Sequence, residues 1–185
     1  MREYEVRILE VDVESWISYL ESHGAVKQGE WLQKRRVYDF HPVIPNKWLR
    51  LRTNGEKTML AIKEIIDKNR IDGTRELEIE VSDYDKTNEI LKELGYTPKG
   101  VQENRRVRYL YKEVEFDFDT WPFIPTYVEV EGKSVEEVEA ILKEFSFDSS
   151  KKTTYDVESV YREFYHIRLN DYPVLTFEEQ KSCEY

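Results

Sequence analysis

Between Glu115 and Glu131 the chain reads EFDFDTWPFIPTYVEVE, which concentrates carboxylates at a two-residue spacing. Side chains alternate across a β-strand, so Glu115, Asp117 and Asp119 share one face while Phe116 and Phe118 take the other. Glu129 and Glu131 oppose Val128 and Val130 in the same way. Like charges facing one another across a sheet repel, so this pattern calls for a cation among the carboxylates. Hard oxygen donors, with one cysteine and no clustered histidines, favour Mg²⁺, Mn²⁺ or Ca²⁺ over zinc.

Cations recur at the same spacing elsewhere. Trp48-Leu-Arg-Leu-Arg sets Arg50 and Arg52 together, Asn54-Gly55 is a strong hairpin signal, and the returning strand from Lys57 to Glu64 carries Lys63. Antiparallel pairing then brings Arg50, Arg52 and Lys63 within reach of one another. Arg106 and Arg108 lie opposite Val107, Tyr109 and Tyr111 on a basic strand from 104 to 114. Arg7, Lys34, Arg36 and Lys152 complete the cations, and Glu3, Glu5, Glu78 and Glu80 join Asp117, Asp119, Glu129 and Glu131 as candidates for an enclosed charged face. Arginine suits bidentate contact with phosphate oxygens and lysine adds compact charge. A metal held by carboxylates on one side and a fan of Arg and Lys on the other describe a polyphosphate site. Glu76, Lys57, Lys112 and Glu115 read as solvated. His23, His41 and His166 form no triad pattern, Trp31, Trp48 and Trp121 read as core or loop packing, and no Gly-rich phosphate loop is present.

The elements that position these groups are long strands with helices between them. Asp12 caps a helix from Val13 to His23, Ser82 or Asp83 caps one to Leu94, and Ser134 with Glu137 forms a capping box for one to about Phe145. Residues 25 to 40 read as a strand pair turning at Gly29-Glu30, His41 to Asn46 as a proline-bearing loop, and Thr120 to Thr126 as a loop at one mouth. Hairpins of this kind with helices between them suggest an α+β, mostly β fold, a closed or nearly closed sheet packed by helices, in a single domain over 1–185 with a C-terminal helix and tail at about 154–185. A barrel of about eight strands has room inside for side chains or one small ligand. The net charge of −10 argues against nucleic-acid and anionic-membrane partners. With no apolar leader or long apolar run, and with Cys183 as its one cysteine, the protein is expected in the cytoplasm, as a monomer or homodimer.

These residues resemble the CYTH superfamily, the triphosphate tunnel metalloenzymes, over Glu3 to about Tyr155. Glu3-Tyr-Glu-Val-Arg is similar to its ExExK motif, Gln33 through Asp39 to its second strand, and Leu49-Arg-Leu-Arg and Leu60-Ala-Ile-Lys to its RxR and lysine strands. Arg75-Glu-Leu-Glu-Ile-Glu, Arg106 with Arg108, Asp117-Phe-Asp, Glu129-Val-Glu and Lys151-Lys-Thr-Thr-Tyr resemble its later motifs. The resemblance implies a closed eight-stranded antiparallel β-barrel with surrounding helices, a tunnel that binds a triphosphate through Lys34, Arg36, Arg50, Arg52, Lys63, Arg106, Arg108 and Lys152. Glu3, Glu5, Asp117, Asp119, Glu129 and Glu131 would lie near one or two Mg²⁺ or Mn²⁺ ions, with Arg7, Lys63 and Glu5 in catalytic positions. It implies hydrolysis of an inorganic or organic triphosphate, with a class IV adenylyl cyclase as the alternative and a noncatalytic polyphosphate-binding module as a third. Two positions depart from the pattern: Arg7 stands where the family has lysine, and Asn104 replaces the lysine of the K-x-R strand. Of Lys34, Arg35 and Arg36, only Lys34 and Arg36 share a face.

Overall fold

In the computed structural model, which describes residues 1–183, strand hairpins close into a barrel. The first strand, β1 (Arg2–Ile8), leads through the Asp12 cap into α1 (Val13–Ser22), and β2 (Val26–Asp39) follows. Asp12 accepts a hydrogen bond from the Ser15 amide at 3.2 Å, satisfying one of the free donors of the first turn. The segment from 25 to 40 is one long strand rather than a pair. Gly29 sits at a register shift in the β2 ladder, and the Trp31 ring lies over it so closely that a Cβ there would fall 2.2 Å from the ring. Glycine at this position makes a bulge, which strand patterns share with turns.

Next come β3 (Lys47–Thr53), β4 (Thr58–Ile65), β5 (Thr74–Val81) and α2 (Tyr84–Glu93). Between β3 and β4, Gly55 has φ of 90° and Asn54 Oδ1 accepts from the amides of Glu56 and Lys57, the hairpin chemistry expected of Asn-Gly. β6 (Pro98–Tyr111), β7 (Val114–Trp121), β8 (Ile124–Gly132) and α3 (Val135–Leu142) follow. β6 begins earlier than its basic stretch suggests because it pairs along nearly the full length of β2. In α3 the Ser134 hydroxyl accepts from the Glu137 amide, whereas Glu137 reaches back to the amide of Lys133 rather than that of Ser134. The chain ends with β9 (Lys152–Thr153), α4 (Val157–Tyr165), β10 (Val174–Leu175) and α5 (Phe177–Cys183).

The eight long strands hydrogen-bond in the ring order β6, β2, β3, β4, β5, β1, β8, β7, and the β6–β7 ladder closes it. All eight contacts are antiparallel. The outer face carries the apolar residues. Val6, Ile8, Phe116, Phe118, Val128 and Val130 are buried beneath α1 and α3, with Trp16 and Leu20 of α1 and Val138 of α3 against them. Tyr38, Leu49 and Leu51 pack under Leu91 of α2. The helical cover is incomplete: Leu77 and Ile79, on the outer face of β5, remain 65% and 56% exposed.

The third cluster lies at one end of the barrel. Leu9, Trp121, Ile124 and Tyr127 pack against Val160 and Tyr161 of α4, and the Tyr161 hydroxyl donates to the Pro122 carbonyl. The segment Thr120 to Thr126, expected as a loop at one mouth, is instead mostly strand closed by a tight turn, with Trp121 pairing directly with Ile124 under α4. Among the described residues, no helix is long and apolar enough to cross a membrane.

Candidate functional site

Inside the ring is a cavity of about 580 Å³, well within the size range of small-ligand sites. Register decides which residues line it. Arg35 pairs with Arg52, Val37 with Arg50, Trp48 with Lys63, and Lys63 with Glu76, so these positions share the inner face of β2 to β5. On the far wall Glu5 pairs with Glu131, Arg7 with Glu129, Asp117 with Glu129 and Arg106 with Asp119. The Val43–Asn46 loop and α4, through Val157, Glu158 and Arg162, border the same cavity.

Three kinds of electrostatic environment coexist there. In the first, cations neutralise carboxylates. Arg106 holds Asp119 through two bonds of 2.7 and 2.6 Å and reaches Asp117 at 2.6 Å, while Arg108 grips Asp117 in the same bidentate manner. Arg50 donates to Glu76 at 2.7 Å and to Glu78, and Arg52 also reaches Glu78. Lys63 donates to Glu3 at 2.9 Å and lies 3.6 Å from Glu76.

The second environment has excess positive charge. Arg35 is 6% exposed and makes no carboxylate contact among the described residues; its guanidinium donates to Gln33 and Asn104 and lies 4.4 Å over the Trp121 ring. Burial, then the neighbouring Arg50, push its pKa down to about 9. Arg52 is lowered to about 10, chiefly by Arg50 and then by burial. The Nε atoms of Arg7, Arg35, Arg50 and Arg52 are buried without a hydrogen-bond partner. Cations held close together with donors unused are stabilised by an anion of several oxygens.

The third environment has excess negative charge. Glu5, Glu129 and Glu131 present one oxygen each within 4.8 Å of one another. Burial, followed by Glu5 and Glu129, pushes the Glu131 carboxyl up to about 8. Glu5 is also raised by burial, while Arg7 and then Arg106 overcome burial to hold Glu129 well below the usual range. Glu3 is raised to about 9 by burial and by its contact with Glu76. Three oxygen donors with charge to spare fit a hard divalent cation and would not suit a soft one.

The structure brings Glu5, Arg7, Arg50, Arg52, Lys63, Arg106, Glu129 and Glu131 around one cavity, with Arg108 and Glu115 at its rim. Lys34 and Arg36 are not among them: Lys34 is exposed, and Arg36 points out toward Asp85 and the Tyr84 ring of α2. Tyr38 is buried under α2 on the outer face, which places Arg36 outside with it and turns Arg35 inward. Lys152 is also displaced from the cavity, because it pairs with Ile8, an outward position of β1, and Thr153 takes the inward phase opposite Arg7. Asp117 and Asp119 are oriented inward, but their oxygens are engaged by Arg106 and Arg108, and Glu3 pairs with Lys63, so the converging carboxylates are Glu5, Glu129 and Glu131. Glu76, read as solvated, is an inner residue bonded to Arg50, whereas Glu80 is exposed beside Lys57. Trp48 borders the cavity and is half-buried. Arg35 is the cavity cation that alternation hid, since Val37 in the same phase reads as an outward apolar residue.

A CYTH domain profile matches residues 1–165, and the chain belongs to the CYTH family. Among solved structures it is similar to the PH1012 protein from Pyrococcus horikoshii OT3, at 26% identity and a TM-score of 0.72 over 83% of this chain and 96% of that one. A putative adenylate cyclase from Vibrio parahaemolyticus has the same fold at 13% identity and a TM-score of 0.74, covering 90% of this chain and 99% of that one. The putative adenylyl cyclase HpAC1 from Hippeastrum, described as having a dominant triphosphatase activity, aligns at 18% identity and a TM-score of 0.60, over 89% and 96% of the two chains. Among curated protein sequences none matches.

Proposed function

We propose that the cavity binds and hydrolyses a triphosphate with the help of a divalent cation, Mg²⁺ or Mn²⁺. The observation that carries this reading is the separation of unbalanced charge inside one enclosure. Arg35 and Arg52 lack sufficient counter-charge on one wall, and Glu5, Glu129 and Glu131 lack sufficient cation on the other. A metal-bound polyphosphate supplies both deficits at once.

In this reading Arg35, Arg50, Arg52 and Arg106 hold the phosphate oxygens, and Lys63, directed from β4 toward the acidic wall, contacts the phosphate nearest the carboxylates. Glu5, Glu129 and Glu131 hold the ion, which when bound neutralises phosphate oxygens and acidifies water. Arg7 is no proton acceptor, because a guanidinium stays charged. Glu3 and Glu5 are both raised by burial and lie beside Lys63. The single cysteine and acidic charge suit a reducing, cytoplasmic setting.

Turnover with tripolyphosphate, ATP and thiamine triphosphate, each with Mg²⁺ and with Mn²⁺, tests the proposal. Release of phosphate that disappears in Glu129→Gln is expected. Cyclic AMP as the main product would replace hydrolysis with cyclisation, and binding without turnover would reduce the site to a polyphosphate-binding module.

A further inference from the structure

Arg7 reaches furthest into the acidic wall, while Arg106 approaches it from the side at 3.5 Å from Glu129 Oε2. Arg7 Nη2 lies 3.1 Å from Glu5 Oε1 and 3.1 Å from Glu129 Oε2, so it bridges two of the three converging carboxylates. Its Nη1 donates at 2.8 Å to the carbonyl of Tyr155, in the segment between β9 and α4, which pins the guanidinium from the other side. The residue is 4% exposed. The fork is anchored at three oxygens and is nearly inaccessible to solvent. Because the guanidinium does not deprotonate, the charge cannot be shed by titration. Glu131 differs from its two neighbours: its carboxylate forms no hydrogen bond or ion pair among the described residues.

We propose that Arg7 is a resident cation of the acidic cluster that fills the gap between Glu5 and Glu129, so that the chain takes up one divalent ion, on the Glu131 side. This rests on the reading of the cavity as a metal-assisted triphosphate site. Under it, the ion is held by Glu131 and by the oxygens of Glu5 and Glu129 that Arg7 leaves free. Arg7 then acts as a positioning residue, fixing those two carboxylates and capping the number of ions at one. A lysine at this position would present a single ammonium that contacts one carboxylate at a time, leaving the gap between them open.

The count is read by titrating Mn²⁺ into the full chain without added phosphate and following free Mn²⁺ by electron paramagnetic resonance. One Mn²⁺ per chain is expected for the wild type, two for Arg7→Gln, and a weakening of the single wild-type site by about tenfold or more in Glu131→Gln. A thermal melt shows whether Arg7→Gln is folded; if it is not, Arg7→Lys, which keeps the charge and loses the bridge, is read instead and is expected to show a second, weaker site. Two sites on the wild type, or one site in the Arg7 variant that is read, would overturn the role given to Arg7. No Mn²⁺ bound by the wild type would overturn the metal-assisted reading as a whole.

Discussion

Replacing Arg35 by methionine should make the ligand-free protein more stable and a poorer binder of triphosphate. Arg35 is enclosed, contacts no carboxylate among the described residues, and is held at about 9 against an ordinary 12.5 by burial and by Arg50. Because the folded pKa lies below the unfolded one, keeping the charge at neutral pH costs folding free energy, with an upper bound of about 5 kcal/mol. The hydrogen bonds to Gln33 and Asn104 and the Trp121 contact return about 2–4 kcal/mol of that. Methionine of similar length keeps the packing on Trp121 and removes the charge, so a net gain of about 1–3 kcal/mol is expected. For a chain of this size that corresponds to a rise in Tm of about 2–10 °C. The same change deletes a charged donor to phosphate worth about 1.5–3 kcal/mol, or about 10- to 150-fold in affinity. Differential scanning calorimetry with and without tripolyphosphate measures both effects, since an anion that binds only the folded protein raises Tm by mass action. Arg36→Met and Lys34→Met, on the outer face, should leave the anion-induced rise unchanged. A lower Tm together with undiminished anion binding in Arg35→Met would show that Arg35 is a structural residue and that the cavity's unbalanced positive charge is not an anion site.

Two further outcomes follow from the same geometry. Glu3 and Glu131, raised from 4.5 to about 9 and about 8, bind protons in the folded state that the unfolded chain has released, so stability should fall as pH rises from about 5 through 8 to 9. Urea unfolding at about pH 6 and pH 9 checks this; Mg²⁺ should offset the alkaline loss, and a profile flat across the interval would contradict it. Trp48 borders the cavity, is half-buried and has no ring partner among the described residues, so it is placed to stack on an organic group attached to the phosphates. Trp48→Ala should lower kcat/KM for ATP or thiamine triphosphate by about tenfold while leaving tripolyphosphate within about twofold; equal losses on both substrates would refute the stacking role.

By itself the sequence determined the secondary structure that makes the barrel and the residue types that make the site. Alternation showed that Arg50 and Arg52, Glu3 and Glu5, and Glu129 and Glu131 share faces, Asn54-Gly55 set a hairpin, and Asp12, the Ser82-Asp83 pair and Ser134 marked helix starts, the structure choosing Asp83 of the pair. A period of two says which side chains share a face, not which face is enclosed. On β2 both phases carry cations, so the inward choice of Arg35 over Lys34 and Arg36 was made by Tyr38 packing under α2, a contact between residues 50 positions apart. Local sequence is equally silent on which charges meet. Asp117 and Asp119 carry the same signature as Glu129 and Glu131, yet the β6–β7 register places them against Arg108 and Arg106, while Glu131 faces Glu5. A carboxylate's surplus charge depends on neighbours that pairing brings from distant strands, and only the closed barrel decided which acids and which arginines were left unbalanced.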